Sequence, residues 1–110
     1  MKRVLYLIRQ PPGIAADETT DMMLVSSVFE QATSVLFMDD GVYQLLGLET
    51  RKSSLKALPT YEVSDLYVAA SSLASRGIAP EGVGAPLRVE VQDDAAARDL
   101  IGRHDVVVAD

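Results

Sequence analysis

Ser34-Val35-Leu36-Phe37-Met38-Asp39-Asp40-Gly41-Val42-Tyr43-Gln44-Leu45-Leu46 decides the fold. Ser34–Met38 is a short apolar run, the pattern of a strand buried on both faces of a parallel sheet. Asp39-Asp40-Gly41 breaks the run with two charges and a glycine. Apolar residues then return at helical spacing over Gly41–Leu48 and predict a short helix. Strand, acidic turn and helix in that order form half of a β-α-β unit.

The same alternation extends in both directions. Val4–Ile8 is a second continuous apolar run, and Asp65–Ala70, Leu87–Val91 and Val106–Val108 predict three further strands. Arg9 to Thr20 reads as a loop punctuated by Pro11, Pro12 and Gly13, with Asp17 or Thr19 placed to cap a helix. Over Thr20–Gln31, Met22, Val25, Phe29 and Ala32 recur at near-helical spacing, with Leu24 and Val28 widening the stripe. They predict an amphipathic helix with that face buried. Glu49 to Ser54 is a polar loop, and Ser54–Leu58 makes a turn or two that Pro59 should stop. Ser71–Arg76 predicts a short helix closed by Gly77. Ala79–Pro86 is a connection. Asp93-Asp94 opens a helix, with Arg103 and His104 at its negative end. Strands alternating with helices predict a three-layer α/β domain of flavodoxin-like type, with a mainly parallel five-stranded sheet. Residues 1–110 read as a single domain with no internal repeat.

Composition narrows the chemistry. Among 110 residues, 48% are hydrophobic and 24% charged, an ordinary globular balance that can build a core. Net charge is −6, so an independent hold on tRNA or DNA phosphates is not expected. There is no cysteine, which removes thiolate metal sites, disulfide exchange and cysteine nucleophiles. One histidine leaves too few nitrogens for an ordinary zinc site, so no metal and no cofactor are expected. No apolar run approaches the ~20 residues of a membrane helix. The basic start Met1-Lys2-Arg3 is followed by an apolar stretch too short for a signal peptide, and the expected location is cytoplasmic.

In such a sheet, ligands and partners meet the loops at the carboxyl ends of the strands. Those loops carry Arg9-Gln10-Pro11-Pro12-Gly13, Asp39-Asp40-Gly41, Ser71-Ser72 and Asp110. A phosphoacceptor reading of Asp39 and Asp40 fails, because the first strand ends in Arg9-Gln10 and no lysine follows Lys56. One of the two acids is expected to cap the following helix, the other to face water. Pro11-Pro12-Gly13 lacks the amide donors of a phosphate loop. Ser71 and Ser72 sit in no nucleophile elbow, and His104 lies at the opposite edge of the sheet. No catalytic residue is expected. Val42, Leu45, Leu46 and Leu48 make an apolar cluster too large for one short helix to bury, and the remainder favours self-association or a partner.

The segments Asp40-Gly41-Val42-Tyr43-Gln44-Leu45-Leu46 and Leu66–Gly77 resemble the signature segments of the DsrE/DsrF-like sulfur-relay proteins, within them the TusC/DsrF branch. Tyr61-Glu62-Val63 and the closing Asp105-Val106-Val107-Val108 agree with the same family. The resemblance implies a subunit of a heterohexamer that passes sulfane sulfur towards tRNA 2-thiolation or within sulfur oxidation. Implied partners are sibling DsrE/TusD-like and DsrH/TusB-like subunits. The family's carrier cysteine falls around Tyr67 to Ala69, where this chain has Tyr, Val and Ala. Only a thiolate accepts and releases sulfane sulfur in this way, so the resemblance implies a non-catalytic, accessory subunit of a sulfurtransferase complex. Contact with siblings is expected through Val42, Tyr43, Gln44, Leu45 and Tyr67, with Arg9, Asp40, Gly41 and Ser71 lining a shared cleft. The alternative is a homo-oligomeric module outside sulfur transfer, binding a small anion near Arg9 and the Ser71 helix start.

Overall fold

A computed structural model describes residues 2–29 and 32–110. Its elements are β1 (Arg3–Ile8), α1 (Ile14–Val28), β2 (Ala32–Phe37), the 3₁₀ segments η1 (Asp39–Leu45) and η2 (Ser54–Tyr61), β3 (Asp65–Ala69), α2 (Ala70–Ser75), β4 (Val89–Gln92), α3 (Asp94–Gly102) and β5 (Val106–Ala109). The strands form one five-stranded sheet in the order β4-β3-β2-β1-β5. Every pairing is parallel, with Tyr6 opposite Val35 on one side and Val108 on the other. The flavodoxin-like three-layer arrangement expected from the alternation is therefore present. After β4 the chain crosses the sheet through α3 to the far side of β1, so the strand order reverses between β1 and β5.

Period-two alternation sorts the apolar strands onto two cores. Val4, Tyr6, Ile8, Val35, Phe37, Leu66 and Val68 face one side, where Met23, Val42, Leu45, Leu48, Leu55, Leu58 and Leu73 cover them. Leu5, Leu7, Leu36 and Tyr67 face the other side, under Leu100, Ile101 and Ala97 of α3. The central strands need apolar residues at every position because both faces are covered. Asp93 caps α3 by accepting from the Ala96 amide at 2.8 Å, a contact of the kind that contributes ~1 kcal/mol. At the other end, the His104 ring nitrogen Nδ1 lies 2.7 Å from the Leu100 carbonyl oxygen. The C-terminal end of α2 is a Schellman motif. Gly77 adopts φ +65°, its amide donates to Ala74, and the Ile78 amide donates to Leu73.

Four expectations are corrected. The helix predicted over Thr20–Gln31 starts at Ile14, directly after the prolines, and its described part ends at Val28; Gln31 lies outside the described residues. Asp17 belongs to its first turn rather than to a cap, and the Thr19 and Thr20 hydroxyls donate back to the Ala15 and Ala16 carbonyls at 3.1 and 3.0 Å. The buried face of α1 is Ala16, Thr20 and Met23, while Met22, Val25 and Phe29 look outward. Polar and apolar residues are spread around all sides of this helix, so periodicity alone cannot choose the inner stripe. Finally, Pro59 sits inside η2, which continues to Tyr61 before Glu62 ends it at φ +63°.

Candidate functional site

The strand carboxyl ends gather the loops singled out by the sequence, and η1 is their centre. Its geometry begins at Gly41. The Ile8 carbonyl, last in β1, accepts from the Met38 amide at 3.0 Å, and the Met38 carbonyl accepts from the Gly41 amide at 2.9 Å. A β-carbon on Gly41 would stand 1.9 Å from the Ile8 carbonyl oxygen. Gly41 is thus the one residue type that lets η1 turn back over the end of β1. Asp39 enters the turn at φ +49°, a left-handed conformation that Asp tolerates better than most. Its amide donates to the Ser72 hydroxyl at 2.9 Å, tying the β2 end to α2.

Neither acid caps η1: its N-cap is Met38, with no side-chain hydrogen bond. Asp40 instead accepts from Arg76 Nη2 at 3.0 Å and Arg76 Nε at 3.2 Å. The Arg76 guanidinium also donates to the Ser72 carbonyl at 3.2 Å and lies 6.0 Å from the centre of the Tyr43 ring, within cation–π range. Arg76 was missed in the sequence because it reads as an ordinary last-turn helix cation. Its neighbour Gly77, which ends α2, was the available signal.

The four predicted contact residues of η1 divide. Val42 and Leu45 are fully buried in the first core, and Gln44 is buried too. The Gln44 amide nitrogen donates to the Gln10 carbonyl at 2.8 Å, and the Gln44 main-chain carbonyl accepts from Arg51. These three side chains hold η1 in place within the protomer. Tyr43, 38% exposed, faces solvent, and Leu46 beside it is 40% exposed. Of the four predicted contact side chains in this segment, Tyr43 is the one open to solvent, beside the exposed Leu46.

Tyr67 lies elsewhere, half-buried against α3 on the opposite face. Burial pushes its phenol pKa up, with Asp65 and Glu90 adding to the rise and Arg103 opposing it. The folded state holds the phenol proton more tightly than the unfolded chain. This contribution is complete below the ordinary value of 10.0 and is lost as pH rises through the folded pKa. Thermal melts at alkaline pH should show Tyr67→Phe losing less stability than the parent chain above about pH 10. Parallel pH profiles would contradict this assignment.

Arg9 follows the last residue of β1, at the reversal between β1 and β5. Its amide donates to the Asp110 carboxylate at 2.7 Å and its guanidinium to the Asp110 main-chain oxygen at 3.2 Å. Ser71 is exposed in the first turn of α2, beyond β3. η1 touches both β1 and α2. At the place implied for a carrier cysteine, Tyr67 is half-buried, Val68 is fully buried, and Ala69 is buried at the strand end as the N-cap of α2. Among the described residues, no three His, Cys, Asp or Glu side chains converge on one point, and no helix is long and apolar enough to cross a membrane.

Known proteins place this arrangement. The chain is 41% identical to a TusC homolog protein of Pseudomonas aeruginosa, over 96% of this chain and 95% of that one. It is 36% identical to the intracellular sulfur oxidation protein DsrF of Allochromatium vinosum, over 71% of this chain and 65% of that protein. The crystal structure of the YchN protein from E. coli superposes with a TM-score of 0.81, covering 100% of both chains at 15% identity, a likeness of fold. The DsrE/DsrF-like family model matches residues 2–109, and the chain belongs to that family, with its homology on the TusC/DsrF side.

Proposed function

We propose that the chain is a non-catalytic, TusC/DsrF-like subunit of a sulfur-relay complex, acting as one domain and scaffolding cysteine-bearing siblings. One observation carries the reading: a member of this family with no cysteine anywhere in its 110 residues. A persulfide needs a thiolate, and Tyr67, Val68 and Ala69 offer none. Sulfur must therefore travel on other subunits, of DsrE/TusD and DsrH/TusB type. The contribution of this chain is a rigid surface at the strand carboxyl ends. Tyr43 presents an amphipathic ring, the kind of side chain that anchors interfaces, and the Arg76–Asp40 pair braces it from behind. The alternative of a small-anion module draws no support from the geometry. The Arg9 guanidinium is already engaged by the Asp110 main-chain oxygen.

The test is affinity purification of the tagged chain from its native host, followed by native mass spectrometry. Small partners of similar size are expected, one carrying a cysteine that can be alkylated or persulfidated. Tyr43→Asp should lose them at least tenfold while melting like the parent chain. Recovery of the chain with no cysteine-bearing partner would overturn the reading.

A further inference from the structure

The strands gather a second set of polar groups at their amino ends, on the α3 side of the sheet and away from η1. Leu5 on β1, Ser34 on β2 and Asp65 on β3 lie in register. Arg3 and Tyr67, each two residues along its own strand, share their face. α3 covers Leu5 and Leu36 with Leu100 and ends at Gly102. Next to that end β2 offers only the short side chains of Ala32 and Ser34, and a hollow of about 170 Å³ remains. Arg3, Ser34, Asp65, Tyr67, Arg103 and His104 line it.

Unmet hydrogen-bonding groups and separated charges both mark this hollow. Ser34 is 7% exposed, yet its hydroxyl makes no hydrogen bond among the described residues. Buried hydroxyls ordinarily find a partner. The Tyr67 phenol is likewise unbonded among the described residues. His104 Nδ1 lies 2.7 Å from the Leu100 carbonyl. A carbonyl only accepts, so Nδ1 carries the proton and Nε2 is left as an acceptor. The charges on the walls face each other without meeting. Asp65 forms no ion pair among the described residues, while Arg3 and Arg103 each hold an acid, Asp105 and Asp99, through Nε. A guanidinium has five donors, so both arginines keep donors for a second anion. β1 and β3 are two strand spacings apart, ~10 Å, which leaves room between Arg3 and Asp65.

We propose that this hollow binds the zwitterion of a small α-amino acid, its carboxylate towards the arginines and its ammonium towards Asp65. A simple anion would face the Asp65 carboxylate and the carboxyl end of α3, the negative end of its dipole. A simple cation would face two guanidinium groups. A ligand carrying both charges a few bonds apart satisfies both walls at once. Ser34, on the middle strand, supplies a hydroxyl donor to the carboxylate, and His104 Nε2 a further acceptor for the ammonium. Size limits the side chain. A water takes up ~30 Å³ of the liquid, so the space holds about six, the heavy-atom count of alanine. Glycine, alanine and serine fit this measure, and large apolar side chains exceed it.

This inference stands apart from the sulfur-relay reading, and its test uses the purified chain alone. Backbone amide NMR shifts are followed while glycine or L-serine is titrated in. Both should saturate with a Kd on the order of 1–10 mM, as suits so few atoms, and should move the amides of Ser34, Asp65 and His104 together. Acetate and methylammonium, with one charge each, should bind at least tenfold more weakly. Ser34→Ala and Asp65→Asn should each weaken glycine about fivefold or more while melting like the parent chain. Asp65→Asn should leave acetate no weaker. Absence of a saturable shift at these residues with both amino acids would overturn the proposal. So would acetate binding as tightly as glycine, or glycine binding that survives both substitutions.

Discussion

Gly41→Ala is expected to cost ~3 kcal/mol or more, and to leave little folded protein at physiological temperature. The added carbon would lie 1.9 Å from the Ile8 carbonyl oxygen and 2.6 Å from its carbon. Both are backbone atoms at the end of a central strand, so no rotamer change relieves the clash. Relief would have to come from η1 lifting off β1. That movement would strain the Met38–Ile8 and Gly41–Met38 hydrogen bonds and draw Val42 and Leu45 out of the first core. Gly13→Ala is the control, since an added carbon there meets nothing within 4 Å. Urea denaturation of the two variants measures the contrast. Equal midpoints would show that the η1 turn is not the constraint described here.

Leu45→Asp is the second large effect, expected at ~4 kcal/mol or more. Leu45 is 1% exposed, in contact with the core built on β1, β2 and β3. Truncating such a leucine alone costs 2–5 kcal/mol, roughly, through lost transfer energy and the cavity left behind. A carboxylate at the site adds the penalty of a buried, unpaired charge. The result should be loss of the cooperative thermal transition. Tyr43→Asp, two residues away on the outer side of the same segment, should keep it. The pair separates two roles that share four consecutive residues. If Leu45→Asp folded normally, the inward assignment of η1 would be wrong.

The strands were legible because burial on both faces demands uninterrupted apolar runs, and Val4–Ile8 and Ser34–Met38 supply them. Gly77 and Asp93 were legible because their chemistry at helix ends is local. The inner face of α1 was not. Its Met22–Val25–Phe29 stripe is more apolar than Ala16–Thr20–Met23, yet the smaller stripe faces the sheet. The larger stripe is left on the surface, where an isolated chain has nothing to cover it. The candidate site divided along the same line. Spacing placed Val42, Tyr43, Gln44 and Leu45 together but could not say which side chains turn inward, because that depends on Ile8, Gln10 and Arg51 from distant parts of the chain. Arg76 joined Asp40 and Tyr43 only through the fold.

The pairing of β1 with β5 fixes the order in which this fold can be finished. Arg3 and Arg9, at the two ends of β1, hold Asp105 and Asp110 through main-chain amides at 2.8 and 2.7 Å, across sequence separations of 102 and 101 residues. During synthesis, β1 can acquire β2 early. It keeps its other side bare until residues 106–109 have cleared the ribosome. Loop closure over such a span carries an entropic cost and is slow, so a nascent chain carries β1 with one side unpaired until β5 has emerged. Chaperone demand should therefore fall on the interval before β5 emerges, and any stalling between residues 92 and 106 would prolong it.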